Sequence, residues 1–193
     1  MNKQQPVILI AYPETWGCYE KFARKLSHIL SQMTAFSVIY PHDKAGFINS
    51  FFMDDQRVVT LEKKTEQATH GIIFDDTVSF AALKIQLNSN NILLRCINVE
   101  ISRVVNIDKK HDFDVYIGRG SGFGNPYAIG EEGDDRDEVI RKFKYDFDRD
   151  YLKDDFKQRL LKHRGKKLGC HCKPMSCHGD VLVEFLNSYD DGL

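Results

Sequence analysis

Near the carboxyl end the sequence reads LGCHCKPMSCHGDVLVEFLN over residues 168–187, with three of its five cysteines and two of its seven histidines inside nine residues. Three chemistries fit that spacing, and the residues alone leave all three open. As metal ligands, Cys170, Cys172, Cys177 and His178 are donors of the kind zinc accepts, although the paired C-x-x-C knuckles are missing and four ligands in so short a stretch are cramped. As a reactive centre, Cys177 at a helix start near Lys173 and His178 would carry a lowered pKa and nucleophilic character. As plain structure, small cysteines fill a tight strand-to-helix turn while His178 and Asp180 cap the helix.

A second stretch, GRGSGFGNP over residues 118–126, places glycines at alternate positions, where backbone of positive φ can approach a ligand closely. Phe123 stands where a dinucleotide fingerprint needs its third glycine, and no GK[ST] follows, so neither the Rossmann motif nor a Walker loop is present. Glu131, Glu132, Asp134 and Asp135 crowd the next helix start and would repel a phosphate. The start at Cys177-His178-Gly179, with Lys173 close by, suits an anion better through its free peptide N–H groups. The expectation is that the loop at 118–126 and the turn at 173–179 face each other across one pocket, with Arg119 and Ser121 as side-chain contacts.

These residues need elements to position them. VILIA (7–11), SVIY (37–40), RVVTL (57–61), GIIFDD (71–76) and NILLRCINV (91–99) are short apolar runs that read as strands, with Cys96 a buried small residue in the last. Helices come between them: Phe22, Leu26, Ile29, Leu30 and Met33 make one stripe, and Phe80, Leu83 and Leu87 another. The alternation predicts an α/β fold with a Rossmann-like, mostly parallel sheet through residue 107. From 108 to 193 a smaller α/β domain is expected. DVYIG is its first strand, Asp135 and Glu138 are at capping-box spacing before a helix with Val139, Ile140, Phe143 and Phe147 on one face, and Leu152, Phe156 and Leu160 form a second helix ended by Gly165. KKLGCHC then reads as a strand, and the last helix turns Val181, Leu182, Phe185, Leu186 and Tyr189 inward. The join is placed near NIDKKHDFD (106–114).

The 193 residues are 42% hydrophobic and 28% charged, a soluble globular composition with a net charge of −1. Basic and acidic residues balance in each half, so no broad field draws the chain to nucleic acid or an anionic membrane. The early apolar run, Val7 to Ala11, is too short for a signal-peptide core or a membrane span. An odd number of cysteines without a secretion signal argues for free thiols or a metal in a cytoplasmic protein rather than a disulfide framework.

Taken together, YIGRGSGFGNPYAIGEEGDDRDEVIRKF and LGCHCKPMSCHGDVLVEFL resemble domain-of-unknown-function family 4326, found in bacteria and their viruses, over about residues 108–190. His171 stands where an aromatic is common in that family. The resemblance implies that Gly118, Arg119, Gly120, Ser121, Asn125, Pro126, Cys170, Cys172, Cys177, His178 and Asp180 form one constellation. The first half, through VILIAYPETW and GIIFDDTVSFAALKIQL, is more faintly similar to the Rossmann-like nucleotide-binding folds of the SLOG group. Ligands of such sheets bind beyond the carboxyl ends of the strands, which here means Thr15, Trp16, Asp75, Asp76 and Thr77. The competing reading is that Asp76 caps its helix and Trp16 packs.

The function expected from these readings is binding of a nucleotide or nucleotide-derived small molecule. If there is catalysis, it is N-glycosidic hydrolysis of the phosphoribohydrolase kind, with Asp180 activating water or stabilising an oxocarbenium-like state. A non-catalytic sensor or sequestering protein is a second class. The third is a zinc-stabilised interaction module.

Overall fold

The structure, a computed structural model, describes residues 5–130, 134–153 and 155–193; Glu131 and Glu132 lie outside them. The chain divides into two compact units, one running to Val99 and including Asp190–Leu193, the other Glu100–Tyr189.

The first unit is a five-stranded sheet of β1 (Val7–Ala11), β2 (Phe36–Tyr40), β3 (Val58–Lys63), β4 (His70–Asp75) and β5 (Leu93–Asn98) in the order β3-β2-β1-β4-β5. Every pairing is parallel. That is the order of a doubly wound Rossmann sheet, with its switch point between β1 and β4. Ile8, Leu9, Ile10 and Ala11 are all buried, as a central parallel strand covered on both faces requires. On one face Leu9, Ala11, Ile39 and Ile73 pack with Phe80 and with Leu87 of α3 (Ala81–Ser89). An aromatic group fills another part of the core. Phe22 of α1 (Tyr19–Ile29) lies 5.0 Å from Phe74, Trp16 lies 4.8 Å from Phe74, and Tyr12 stacks at 5.0 Å on Phe47 of α2 (Phe47–Phe52).

Two expectations change here. The helical stripe continues to Met33 in sequence, but α1 ends at Ile29 with Leu30 as its cap. Cys96 is exposed rather than buried, because β5 is an edge strand. The short α2 carries Phe47, Ile48, Phe51 and Phe52 at helical spacing, but over only six residues. Its signal is Asp43, which accepts the N–H groups of Ile48 (3.0 Å) and Asn49 (2.9 Å) and the Tyr12 hydroxyl (2.6 Å).

The second unit has a three-stranded parallel sheet of β6 (Arg103–Asn106), β7 (Val115–Tyr116) and β8 (Lys167–Cys170) in the order β6-β8-β7. Helices α4 (Arg136–Asp148), α5 (Phe156–Leu161) and α6 (His178–Ser188) bury Phe143, Phe147, Leu160, Leu182 and Leu186 with Ile117 and Leu168 in one core. Asp135 caps α4 by accepting the Glu138 N–H at 2.9 Å, at the spacing the sequence displays. Asn106, expected in the joining segment, ends β6, and a 3-10 turn at Ile107–Lys109 follows it. Leu152 precedes α5 rather than opening it, and α5 stops at Leu161, before Gly165. Tyr189 is exposed at the end of α6, with the Arg164 guanidinium 5.3 Å from its ring.

Gly179, in the first turn of α6, is buried against the sheet: a Cβ there would lie 2.7 Å from Ile117 Cδ1 and 3.0 Å from Val104 Cγ2. Overpacking of this kind costs about 1–3 kcal/mol, against about 1 kcal/mol that alanine gains over glycine in a helix. Gly179→Ala is therefore expected to lose up to about 2 kcal/mol of stability, read as a lower urea midpoint at unchanged slope.

Candidate functional site

The parallel pairing of β7 with β8 sets Tyr116 opposite Gly169, and the Ile117 N–H continues the ladder to the Gly169 carbonyl at 2.9 Å. Both strands point the same way, so the segments after Ile117 and after Cys170 leave the same end of the sheet. The start of α6 is fastened there too, because His178 Nε2 lies 2.8 Å from the Ile117 carbonyl oxygen. Between these pieces is a cavity of about 190 Å³. Gly118, Arg119 and Asn125 line it from one segment, and Cys170, His171, Cys172, Cys177 and His178 from the other. Arg136, Val139 and Ile140 of α4 add a wall, with Tyr127 and Ile129 beside them.

The glycines of the first segment serve mostly close packing rather than backbone of positive φ. Only Gly120, at φ +88°, adopts the left-handed region. A Cβ on Gly118 would strike the Tyr116 ring, one on Gly124 would meet the Gly118 carbonyl oxygen at 2.7 Å, and one on Gly122 would meet Arg159 Nη1 at 2.9 Å. Ser121 Oγ accepts the Phe123 N–H at 3.2 Å. Asn125 fastens the segment to its surroundings, accepting the Tyr127 N–H at 2.9 Å and donating to the Val139 carbonyl at 3.0 Å. Gly120, Ser121 and the exposed Pro126 do not line the cavity, whereas the exposed Arg119 does.

The three sulfurs of Cys170, Cys172 and Cys177 lie within 4.8 Å of one another. Cys170 and Cys177 are buried and Cys172 half-buried. The nucleophile expectation is corrected: hydrogen bonding to Cys170, together with burial, pushes the Cys177 thiol up. Cys170 is the thiol held down, to about 5, chiefly by the hydrogen bond from Cys177, with the Cys172 N–H adding to it. Burial raises Cys172 against a hydrogen bond from Arg136. His178 does not complete the metal set. Its ring is turned to the Ile117 carbonyl, with the Phe123 backbone as a further partner, so it anchors α6 to the end of β7.

Lys173 and Asp180 pair with each other, and neither lines the cavity. Asp180 also accepts the Cys177 N–H at 3.0 Å, closing a capping box at the start of α6. His171 Nδ1 lies 2.8 Å from Asp108, and its Nε2 lies 3.3 Å from the Tyr116 hydroxyl. Arg136 donates to the Ser176 carbonyl at 3.2 Å.

Asn106 is a positioning residue that sequence reasoning missed. Its amide donates to the carbonyls of His171 and Lys173, while its Oδ1 accepts the Asp108 N–H at 2.7 Å. The only signal was a polar residue closing a short apolar run ahead of a turn.

The residues expected at the switch point of the first unit serve its framework. Trp16 is buried among Phe22, Phe47 and Phe74. Asp75 pairs with Lys84 at 2.5 Å and accepts the Thr77 N–H at 3.0 Å. Asp76 accepts the N–H groups of Val78 (3.1 Å) and Ser79 (2.7 Å), so it caps the turn ahead of α3 rather than α3 itself, whose N-cap is Phe80. Thr15 and Thr77 are exposed.

A parallel sheet in this order, followed in the chain by a second, smaller α/β unit, defines a Rossmann-like protein of a nucleotide-related fold. The chain belongs to the Minimal SLOG domain family, mSLOG, whose model matches residues 5–105, and residues 100–188 match that of the Domain of unknown function DUF4326. It is similar to an "Uncharacterized 12.4 kDa protein in nrdA-td intergenic region" of Enterobacteria phage T4, 42% identical over 88 residues that cover 45% of this chain and 79% of the phage protein. No solved structure matches the chain. Among the described residues, no helix is long and apolar enough to cross a membrane.

Burial lowers the pKa of His178, and burial with the charges of Lys166 and Lys162 lowers that of His163. Near pH 6.5 the unfolded chain then binds protons more readily than the folded one, so the stability present above about 6.5 is lost as pH falls. The urea midpoint is expected to be lower at about pH 5.5 than at about pH 7.5, and His163→Gln should keep the part of that slope due to His178. An equal or higher midpoint at the acidic pH contradicts this assignment.

Proposed function

We propose that the chain binds a nucleotide or nucleotide-derived small molecule and that the cavity of its second unit receives the ligand's anionic group. The observation that carries this reading is the make-up of that cavity: two guanidinium groups, Arg119 and Arg136, stand beside an apolar wall of Val139 and Ile140, with Tyr127 on the same wall. Arginine suits phosphate through its planar array of donors, and an aromatic ring with aliphatic neighbours suits a ribose or base face. Membership of a nucleotide-related fold family supports the ligand class. The net charge of −1 speaks against an extended nucleic-acid backbone as the partner.

Binding without hydrolysis is the better reading of the two. Glycosidic cleavage needs a carboxylate beside the bond, and among the described residues none lines this cavity. Asp180, the candidate from sequence, is committed to the Cys177 N–H and to Lys173.

Chemical-shift mapping with a nucleoside monophosphate is expected to perturb the segments around Gly118–Tyr127 and Cys170–His178. Perturbations confined to the first unit would overturn the placement. Arg119→Ala and Arg136→Ala should each weaken binding about tenfold or more, since a charged hydrogen bond contributes about 1.5–3 kcal/mol. Incubated with a panel of nucleotides and with NAD, the protein should return the bound ligand intact. Release of free base that Asp180→Asn abolishes would replace binding alone with hydrolysis.

A further inference from the structure

We propose that Cys170, Cys172 and Cys177 form a three-thiolate site for one Zn²⁺ ion, with the fourth coordination position opening into the cavity. The sulfurs already lie within 4.8 Å of one another. Tetrahedral zinc with Zn–S bonds of about 2.3 Å needs sulfurs about 3.8 Å apart, so a contraction of about 1 Å closes the site.

The backbone that carries the thiols is fixed from three directions. Cys170 ends β8, which is paired on both sides. Cys172 lies in a turn whose neighbouring carbonyls, those of His171 and Lys173, are held by Asn106. Cys177 stands at the N-cap of α6 with its N–H on Asp180. Sulfur donors select a soft or borderline ion such as zinc over magnesium or calcium.

Two observations indicate an open fourth position. His178, the nearest candidate in sequence, gives its ring to the Ile117 carbonyl. All three cysteines line the cavity that also holds Arg119 and Arg136. Zinc with three thiolates carries a net charge of −1, which Arg136, lining the same cavity as Cys172, offsets. Each ligating thiol releases its proton to solvent, and zinc keeps its oxidation state, so no redox partner is needed. The site stands independently of nucleotide binding.

The test uses the full chain, reduced and stripped of metal, titrated with Zn²⁺ and separately with Co²⁺ as a spectroscopic probe. One ion per chain is expected, with the cobalt form displaying thiolate charge-transfer bands. Cys172→Ser, at the half-buried position where folding is least at risk, should weaken zinc binding by more than the roughly 10–100-fold that follows loss of a supporting contact. Circular dichroism checks that this variant is folded. Cys18→Ser and Cys96→Ser should bind as the parent does. Imidazole added to the cobalt form should shift its visible bands by entering the fourth position. A folded, reduced chain that takes up no zinc at micromolar concentration, cobalt without thiolate bands, or a Cys172→Ser variant that binds as the parent overturns the site. Cobalt bands that imidazole leaves unchanged overturn the open position.

Discussion

Two residues of parallel pairing organise the second unit. β7 is only Val115–Tyr116, yet its register against β8, extended by the Ile117 N–H to the Gly169 carbonyl, decides that the segment after Gly118 and the turn after Cys170 emerge side by side. Antiparallel pairing would send them to opposite ends of the sheet. The lock is reinforced from a third element, because the His178 ring reaches the carbonyl of Ile117, the residue that follows β7. A buried histidine whose Nε2 meets a backbone carbonyl is a strut, and burial favours its neutral form.

That geometry explains why the thiols behave as a group. Three sulfurs confined near one another in a poorly solvated place cannot all ionise, since each negative charge raises the cost of the next. Their mutual hydrogen bond pushes the Cys177 thiol up and holds the Cys170 thiol down. Arg136, held at the Ser176 carbonyl, supplies the compensating positive charge at Cys172. The sulfurs gather at the end of β8 and the start of α6, while α4 contributes Arg136 together with the apolar Val139 and Ile140.

How much of this was legible in the sequence follows from the range of each signal. VILIA coincides with β1, and Asp135 with Glu138 marks the start of α4, because apolar runs and caps are local patterns. β6 was hidden, since RVVN is four residues long and makes sense only when β8 lies beside it. Cys96 was misread because nothing in ILLRCINV tells an edge strand from a central one. The cysteine cluster drew attention by composition, but whether His178 would ligate or brace depended on a carbonyl sixty-one residues away. Asn106 gave almost no signal, as its partners at His171 and Lys173 are equally distant in the chain.

The two units apply the same rule of parallel sheets to different ends. In both, the carboxyl ends of neighbouring strands make a crevice where polar groups collect. In the first unit those groups are spent internally: Asp43 at the end of β2 holds α2 and Tyr12, Asp75 at the end of β4 holds Lys84, and Trp16 fills space with aromatic carbon. In the second, internal demands fall on other residues. Asn106 and Asp180 brace without lining the cavity, Asn125, His178 and Arg136 both brace and line it, and the thiols with Arg119 face it. Where some of the lining side chains carry no bracing contact, they can meet a ligand without unfastening the fold. That division, more than the number of glycines or cysteines, is the reason to look for function at the end of β8.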